Sequence, residues 1–309
     1  MVINNKGEAF MEYCEFLECI KKQIARRTGD NVYINHVIKN NGYELDGIVI
    51  MEEGNNISPN IYLNHFYNEY KNGVTIDDIT QDILRLYNEN KNKIVIDSKF
   101  FSDFDNLRSC IVYKVINYER NKQLLEQIPH KKILDMAVVY YCLIEQFEDM
   151  SATALIYNTH MYSWKVTESD IYRAAYENTP KLLNFSIQSM ASLFMEKIKT
   201  DELCDVTYDD LKGLEENDMF VLTNESRLNG ASCMLYDNVL KEFADSVESD
   251  LYILPSSIHE VILLPKRELY NINDLKSMVH EVNTEEVSPD EVLSDQVYTY
   301  DRANGMLTM

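Results

Sequence analysis

The sequence predicts an α+β fold, with mixed sheets and helices arranged as two closely packed subdomains, and three observations carry that expectation. An Asn40-Asn41-Gly42 step between two β-rich runs signals an early hairpin. Residues 134–144 are apolar nearly throughout, which suits a strand covered on both faces. The later half mixes strand-like and helix-like periods without the regular alternation that a doubly wound parallel sheet requires.

Taken in order, residues 7–28 read as an amphipathic helix. Phe10, Cys14, Leu17 and Ile24 recur on one face, and Gly29-Asp30 supplies the stop. Residues 31–39 and 43–51 form the hairpin strands, and a third extended piece at 57–64 follows the turn-like Glu53-Gly54-Asn55-Asn56. One helix begins near Phe66. A second opens at Thr75, whose hydroxyl precedes Asp77 and Asp78 and then Ile79, Ile83 and Leu86. Strands are expected at 110–116 and 134–144, the latter central in its sheet, with 152–157 pairing against it. Thr167 caps a helix that Pro180 is expected to end. An amphipathic segment covers 187–198, and strands at 220–223, 251–254 and 258–264 enclose a helix at 238–247. The tail offers a helix at 274–282, a short one after Ser288-Pro289 and an extended piece at 296–300. No Pro/Gly/Ser-rich linker is visible. The divide between subdomains is therefore placed near 127–132, giving 1–130 and 131–309.

Composition narrows the function classes. Fifty-one Asp and Glu against 29 Lys and Arg give a net charge of -22, which repels nucleic-acid backbones and anionic lipid, so direct nucleic-acid binding is not expected. The longest apolar run, 136–144, is far short of the roughly 20 residues of a membrane helix. The start of the chain shows no secretory signal pattern, and the six cysteines follow no framework spacing, so a cytoplasmic protein with reduced, structural thiols is expected. Neither G-x-x-x-x-G-K-[ST] nor G-x-G-x-x-G occurs, which removes the common phosphate cradles, and no cofactor is expected.

Several short motifs, in order along nearly the whole chain, carry a resemblance. They are IYLNHFYNEY with YKNGVTIDDI, MFVLTN, LYILPSSIHEVILLP and MVHEVNTEEVSPDEVLSDQVYTYDR. The chain resembles an uncharacterised bacterial family, a domain of unknown function, of acidic proteins of about this length common in gut anaerobes. The resemblance implies a cytosolic bacterial protein, at times in mobile-element settings, and brings no established activity or assigned catalytic residue.

The most informative segment is 251–265, two apolar runs broken by Pro255, Ser256 and Ser257 and by the polar pair His259-Glu260. Polar groups in so apolar a setting need partners. Together with Thr223 and Asn224, at the end of the strand near 220, these residues form the expected binding corner. A hydrolytic reading would use Ser257 or Ser256 with His259. Strand alternation sends Glu260 to the opposite face from His259, and no G-x-S-x-G turn is present. A zinc-protease reading fails because position 263 is Leu263 and not a second histidine. His65 and Glu69 share a helix face as a surface pair, Cys14 and Cys19 diverge, and His280-Glu281 reads as solvated. Tyrosine is frequent at 21 residues and gathers in 61–70, where half-buried packing is the simpler meaning. The expected function is therefore non-enzymatic binding, with a protein as partner. The alternatives are the hydrolase and an acidic decoy that imitates DNA to occupy a nucleic-acid-binding protein.

Overall fold

A computed structural model describes residues 2–3, 9–52, 58–91, 101, 103–146, 151–199, 218–267 and 270–309. It confirms an α+β architecture in which, among the described residues, every strand pairing is antiparallel. The chain divides into two compact units, Met1–Ser102 and Asp103–Met309. Among the described residues no helix is long and apolar enough to cross a membrane.

In the first unit, β1 (Val2–Ile3) pairs with β2 (Ala9–Phe10), so α1 (Tyr13–Thr28) starts later than residue 7. Its buried face is Phe16, Ile20 and Ile24, a spacing of four that lines one side of a helix. Cys14, expected on that face, is exposed. Gly29 ends the helix in the left-handed conformation at φ 77°, its N–H reaching Ala25 O at 3.0 Å. Strands β3 (Asn31–Ile38), β4 (Glu44–Met51) and β5 (Asn60–Tyr62) form a three-stranded sheet. Asn41 and Gly42 take positive φ between β3 and β4, as the hairpin signal requires. The turn read at 53–56 lies outside the described residues. Helices α2 (Asn64–Lys71) and α3 (Ile76–Asn90) complete the unit, with Thr75 Oγ1 accepting from Asp78 N as the cap of α3. Phe66, Ile79, Ile83 and Tyr87 close over α1 together with Ile48 and Ile50 of the sheet.

On the exposed hairpin, His36 Nδ1 lies 3.0 Å from Asp46 Oδ1 and Nε2 lies 3.8 Å from Glu44. The hydrogen bond to Asp46, helped by both negative charges, raises the imidazole pKa. A raised folded value means that this contribution is present below the unfolded pKa and lost as pH rises through the folded one. An NMR titration is expected to find the His36 midpoint above that of a free histidine, and Asp46→Asn should return it toward that reference. A wild-type midpoint at the reference would refute the assignment.

The second unit opens with α4 (Phe104–Leu107), β6 (Ile111–Asn117), α5 (Lys122–Leu125), β7 (His130–Ile133), β8 (Met136–Gln146) and β9 (Ser151–Leu155). Long β8 is central, with β6 on one edge and β7 and β9 sharing the other. The apolar run read as one strand from 134 is thus turned at Leu134-Asp135, where Leu134 sits at φ 55°. The boundary expected at 127–132 falls just before and inside β7, which pairs with β8 from His130↔Val139 to Ile133↔Met136. Contacts instead divide the chain after Ser102.

Next come α6 (Asn158–Trp164), α7 (Glu168–Leu182), β10 (Phe185–Ser189), α8 (Met190–Lys199), β11 (Phe220–Asn224), a 3-10 turn at Gly230–Leu235 and α9 (Val239–Ser246). Then follow β12 (Leu251–Pro255), β13 (Val261–Pro265), α10 (Ile272–Glu285), β14 (Tyr298–Asp301) and β15 (Met306–Thr308). Pro180 does not end α7, which runs on to Leu182. Proline there forgoes one hydrogen bond, while Leu183 N still reaches Thr179 O at 2.9 Å. Segment 187–198 splits into the end of β10 and α8, and the residues after Ser288-Pro289 form a turn instead of a helix. The six strands from β10 onward make one sheet in the order β10-β11-β13-β12-β14-β15. Buried Leu251, Ile253, Leu263 and Leu264 occupy its centre. α7 is fixed to β6 through Thr179, whose Oγ1 accepts from Tyr113 N at 3.0 Å.

Candidate functional site

Pairing of Pro255 with Val261 leaves 256–260 as the loop between β12 and β13, and β11 lies beside β13. The sheet therefore brings Thr223, Asn224, Pro255, Ser256, Ser257, His259 and Glu260 into one corner. Within the loop, Ser256 N and Ser257 N both donate to Glu260 O, at 3.3 and 3.2 Å. Ser257 Oγ accepts from His259 N at 3.0 Å, and Ser256 Oγ donates to Glu260 Oε1 at 3.3 Å. Ile258 is buried and anchored at both ends, its N–H on Glu291 O at 2.8 Å and its carbonyl receiving Ala231 N at 3.2 Å.

The neighbouring segment 224–230 is built around a buried asparagine. Asn224 Oδ1 accepts from Leu228 N and Ser226 Oγ at 3.0 and 2.9 Å, while Nδ2 donates to Leu228 O at 2.7 Å. Those bonds hold a loop in which Arg227 and Asn229 take positive φ, a conformation asparagine tolerates well. Thr223 Oγ1 donates to His259 O at 2.8 Å. Asn229 N donates to His259 Nδ1 at 3.1 Å, and Asn229 Nδ2 reaches Tyr141 OH of β8 at 3.3 Å, tying the corner to the other sheet of this unit. Burial pushes the Tyr141 phenol up to about 12, so it stays a neutral partner at physiological pH.

The tautomer of His259 follows from these contacts. A backbone N–H only donates, so Nδ1 carries the lone pair and the ring proton sits on Nε2, which faces Glu291 Oε1 at 3.4 Å. Both ring nitrogens are thus engaged. Among the described residues no hydrogen bond joins Ser256 Oγ or Ser257 Oγ to the imidazole, and drawing a serine proton onto Nδ1 would first break the Asn229 contact. As arranged, the corner braces three chain segments. Thr223, Asn224 and Pro255 are buried in its frame, while Ser256, Ser257, His259 and Glu260 form its half-exposed rim.

Two further features carry little sequence signal. Asp135, in the β7–β8 turn, accepts from Ser294 Oγ at 2.6 Å and from Tyr298 OH at 2.7 Å. Beside it Asn117 Nδ2 donates to Leu293 O, and Asn283 Nδ2 to Ser294 O, each at 2.9 Å. Burial and the adjacent Asp135 charge push the Tyr298 phenol far up, keeping it a donor. The second feature is an exposed tyrosine face on α7. Tyr172 and Tyr176, one turn apart, stack with centroids at 5.7 Å, and each is 37% exposed. Lys131 Nζ sits 5.1 Å from the Tyr172 ring, and Tyr176 OH bonds Asp237. The tyrosines gathered at 61–70 behave differently, since Tyr67 and Tyr70 pack on Phe16 at 5.2 and 5.5 Å.

An open groove of about 610 Å³ lies beyond α9, bounded by Asp245, Asp250, Lys266 and Arg302. Arg302 closes on its own walls, Nε to Asp245 Oδ1 at 2.8 Å and N to Asp250 Oδ1 at 3.0 Å. Among the described residues no group of three or more His, Cys, Asp or Glu is placed to hold a metal ion. His65 and Glu69 are both exposed on α2, and His280 Nδ1 lies 3.6 Å from Asp295 Oδ1 at an exposed helix face. Neither a curated protein nor a solved structure matches the chain. The model of a family of unknown function, DUF5688, matches residues 13–302, so the chain belongs to that family.

Proposed function

We propose that this member of DUF5688 is a cytoplasmic binding protein without chemistry of its own, and that it takes a protein partner on the tyrosine face of α7. The observation that carries this reading is the stacked pair Tyr172–Tyr176, held in solvent between Lys131 and Asp237. Tyrosine offers wide contact area for the loss of only two side-chain torsions, and a lysine and an aspartate at its margin supply a polar rim. The overall charge of -22 favours encounter with a basic partner. Supporting the absence of chemistry, the polar groups of the 255–260 corner are already bonded to one another, and His259 has no idle nitrogen.

The test is recovery of partners on the tagged full-length chain from the cells that make it, followed by binding measurements on Tyr172→Ala/Tyr176→Ala. One stoichiometric protein is expected. The double variant should bind it at least about tenfold more weakly, the scale of a central aromatic contact, with an unchanged circular dichroism spectrum. Full retention of affinity would remove the α7 face from the reading. Esterase or phosphatase turnover lost on His259→Ala would replace it with the hydrolase. A nucleic-acid-binding protein released by competing DNA would replace it with the decoy.

A further inference from the structure

We infer that the cavity beside Asp237 anchors one arginine side chain of the protein partner, its aliphatic stem among apolar walls and its guanidinium on Asp237 and the Tyr300 hydroxyl. The cavity measures about 330 Å³ and lies where the 3-10 turn Gly230–Leu235 leads into α9 and meets the β14–β15 hairpin. That is at the small end of ligand pockets, the scale of a single anchoring side chain.

The walls are apolar. Met234 and Leu240 are 3% and 5% exposed, and Leu307 of β15 adds to them. Tyr300 is 7% exposed, yet among the described residues its hydroxyl has no hydrogen-bond partner. That oxygen borders the cavity, since it is the nearest atom to the place of a Cβ on Gly305, at 3.6 Å, and Gly305 is part of the wall. A phenol so deeply placed without a partner is costly, and an N–H from a guest would satisfy it.

The charges select a cation. Asp237 lines the cavity on its exposed side, and its hydrogen bond comes from the Tyr176 hydroxyl, a neutral donor. Among the described residues no cation pairs with it. Asp245 is already paired with Arg302. Beyond the effect of burial, the charges of Asp245 and Asp301 raise the Tyr300 pKa, which marks a negative potential in the cavity. Lys241 also lines it, but on an exposed side chain whose long stem keeps the ammonium in water. Arginine suits the site better than lysine, because a guanidinium is weakly hydrated, stacks on tyrosine and keeps its charge when partly desolvated. Asp237 joins the cavity to the α7 face through Tyr176. The inference therefore deepens the proposed function, and rests on it for the source of the arginine alone.

The experiment follows the methyl signals of the full-length chain by NMR during titration with Nα-acetyl-arginine amide, its citrulline analogue and Nα-acetyl-glutamate amide. The citrulline probe keeps the shape and lacks the charge. The arginine probe is expected to shift Met234, Leu240 and Leu307 with a millimolar Kd, and the other two to bind at least about tenfold more weakly. Asp237→Asn should weaken the arginine probe about tenfold, and Tyr300→Phe, which leaves the Tyr176 bond in place, about threefold. A silent cavity, equal binding of the citrulline probe, or unchanged affinity in both variants would overturn the site. Its source is tested with the recovered partner, which Tyr300→Phe should also weaken about threefold. Unchanged partner affinity in Tyr300→Phe and Asp237→Asn would overturn the assignment to the partner. Partner affinity lost in these variants but kept in Tyr172→Ala/Tyr176→Ala would support the cavity and remove the α7 face.

Discussion

Asp135→Ala is expected to cost the second unit about 3–5 kcal/mol, because it strips the acceptor from two buried hydroxyls at once, each bonded to a charged carboxylate. Ser294 and Tyr298 are both fully buried, so neither can turn to water instead. A unit of this size should lose roughly 10 °C in Tm for that change. Asp135→Asn keeps one carbonyl acceptor and offers an N–H to a hydroxyl that is free to rotate, so less than half of the loss is expected. Urea unfolding of the three proteins checks the ordering. An alanine variant within about 1 kcal/mol of wild type would show that the contacts are not what holds the β7–β8 turn to Ser294 and the start of β14.

Gly230→Ala is expected to cost about 1–3 kcal/mol, toward the upper end, by forcing apart the frame of the corner. A Cβ at this position would stand 2.5 Å from His259 O and 2.7 Å from Asn224 N, and would also strike Thr223 Oγ1. Two of these obstacles are backbone in paired strands or their loop, so they cannot rotate away. The crowding also sits on the Thr223 Oγ1 bond to His259 O, which would be lost with it. Removing the threonine side chain therefore should not help. The double variant Thr223→Ala/Gly230→Ala should remain as unstable in urea as Gly230→Ala alone, and full rescue would refute the backbone clash.

Local chemistry made much of the fold legible. The Thr75 cap, the Asn40-Asn41-Gly42 turn, the apolar β8 and its pairing with β9 all follow from interactions within a few residues. Misreadings arose where a signal was overruled by its surroundings. Pro180 lies in the last turn of α7, where the helix has few further bonds to lose. Leu134-Asp135 turns the chain in two residues, one of them an apolar leucine at positive φ, so nothing in composition separates β7 from β8. The corner was visible because polar residues interrupt an apolar run. Asp135 was not, since its hydroxyl partners lie 159 and 163 residues away. The tyrosine face on α7 was hidden for another reason, as the densest run of tyrosines, at 61–70, turns inward onto Phe16.

The strand order of the large sheet also governs how a ribosome must deliver it. β12 lies between β13 and β14, and β14 begins only at Tyr298. Until β14 has been made, the β12 flank destined for Tyr298, Thr299 and Tyr300 presents bare N–H and C=O groups. That side of the sheet therefore closes only after β14, made well after β12 and β13, has joined it.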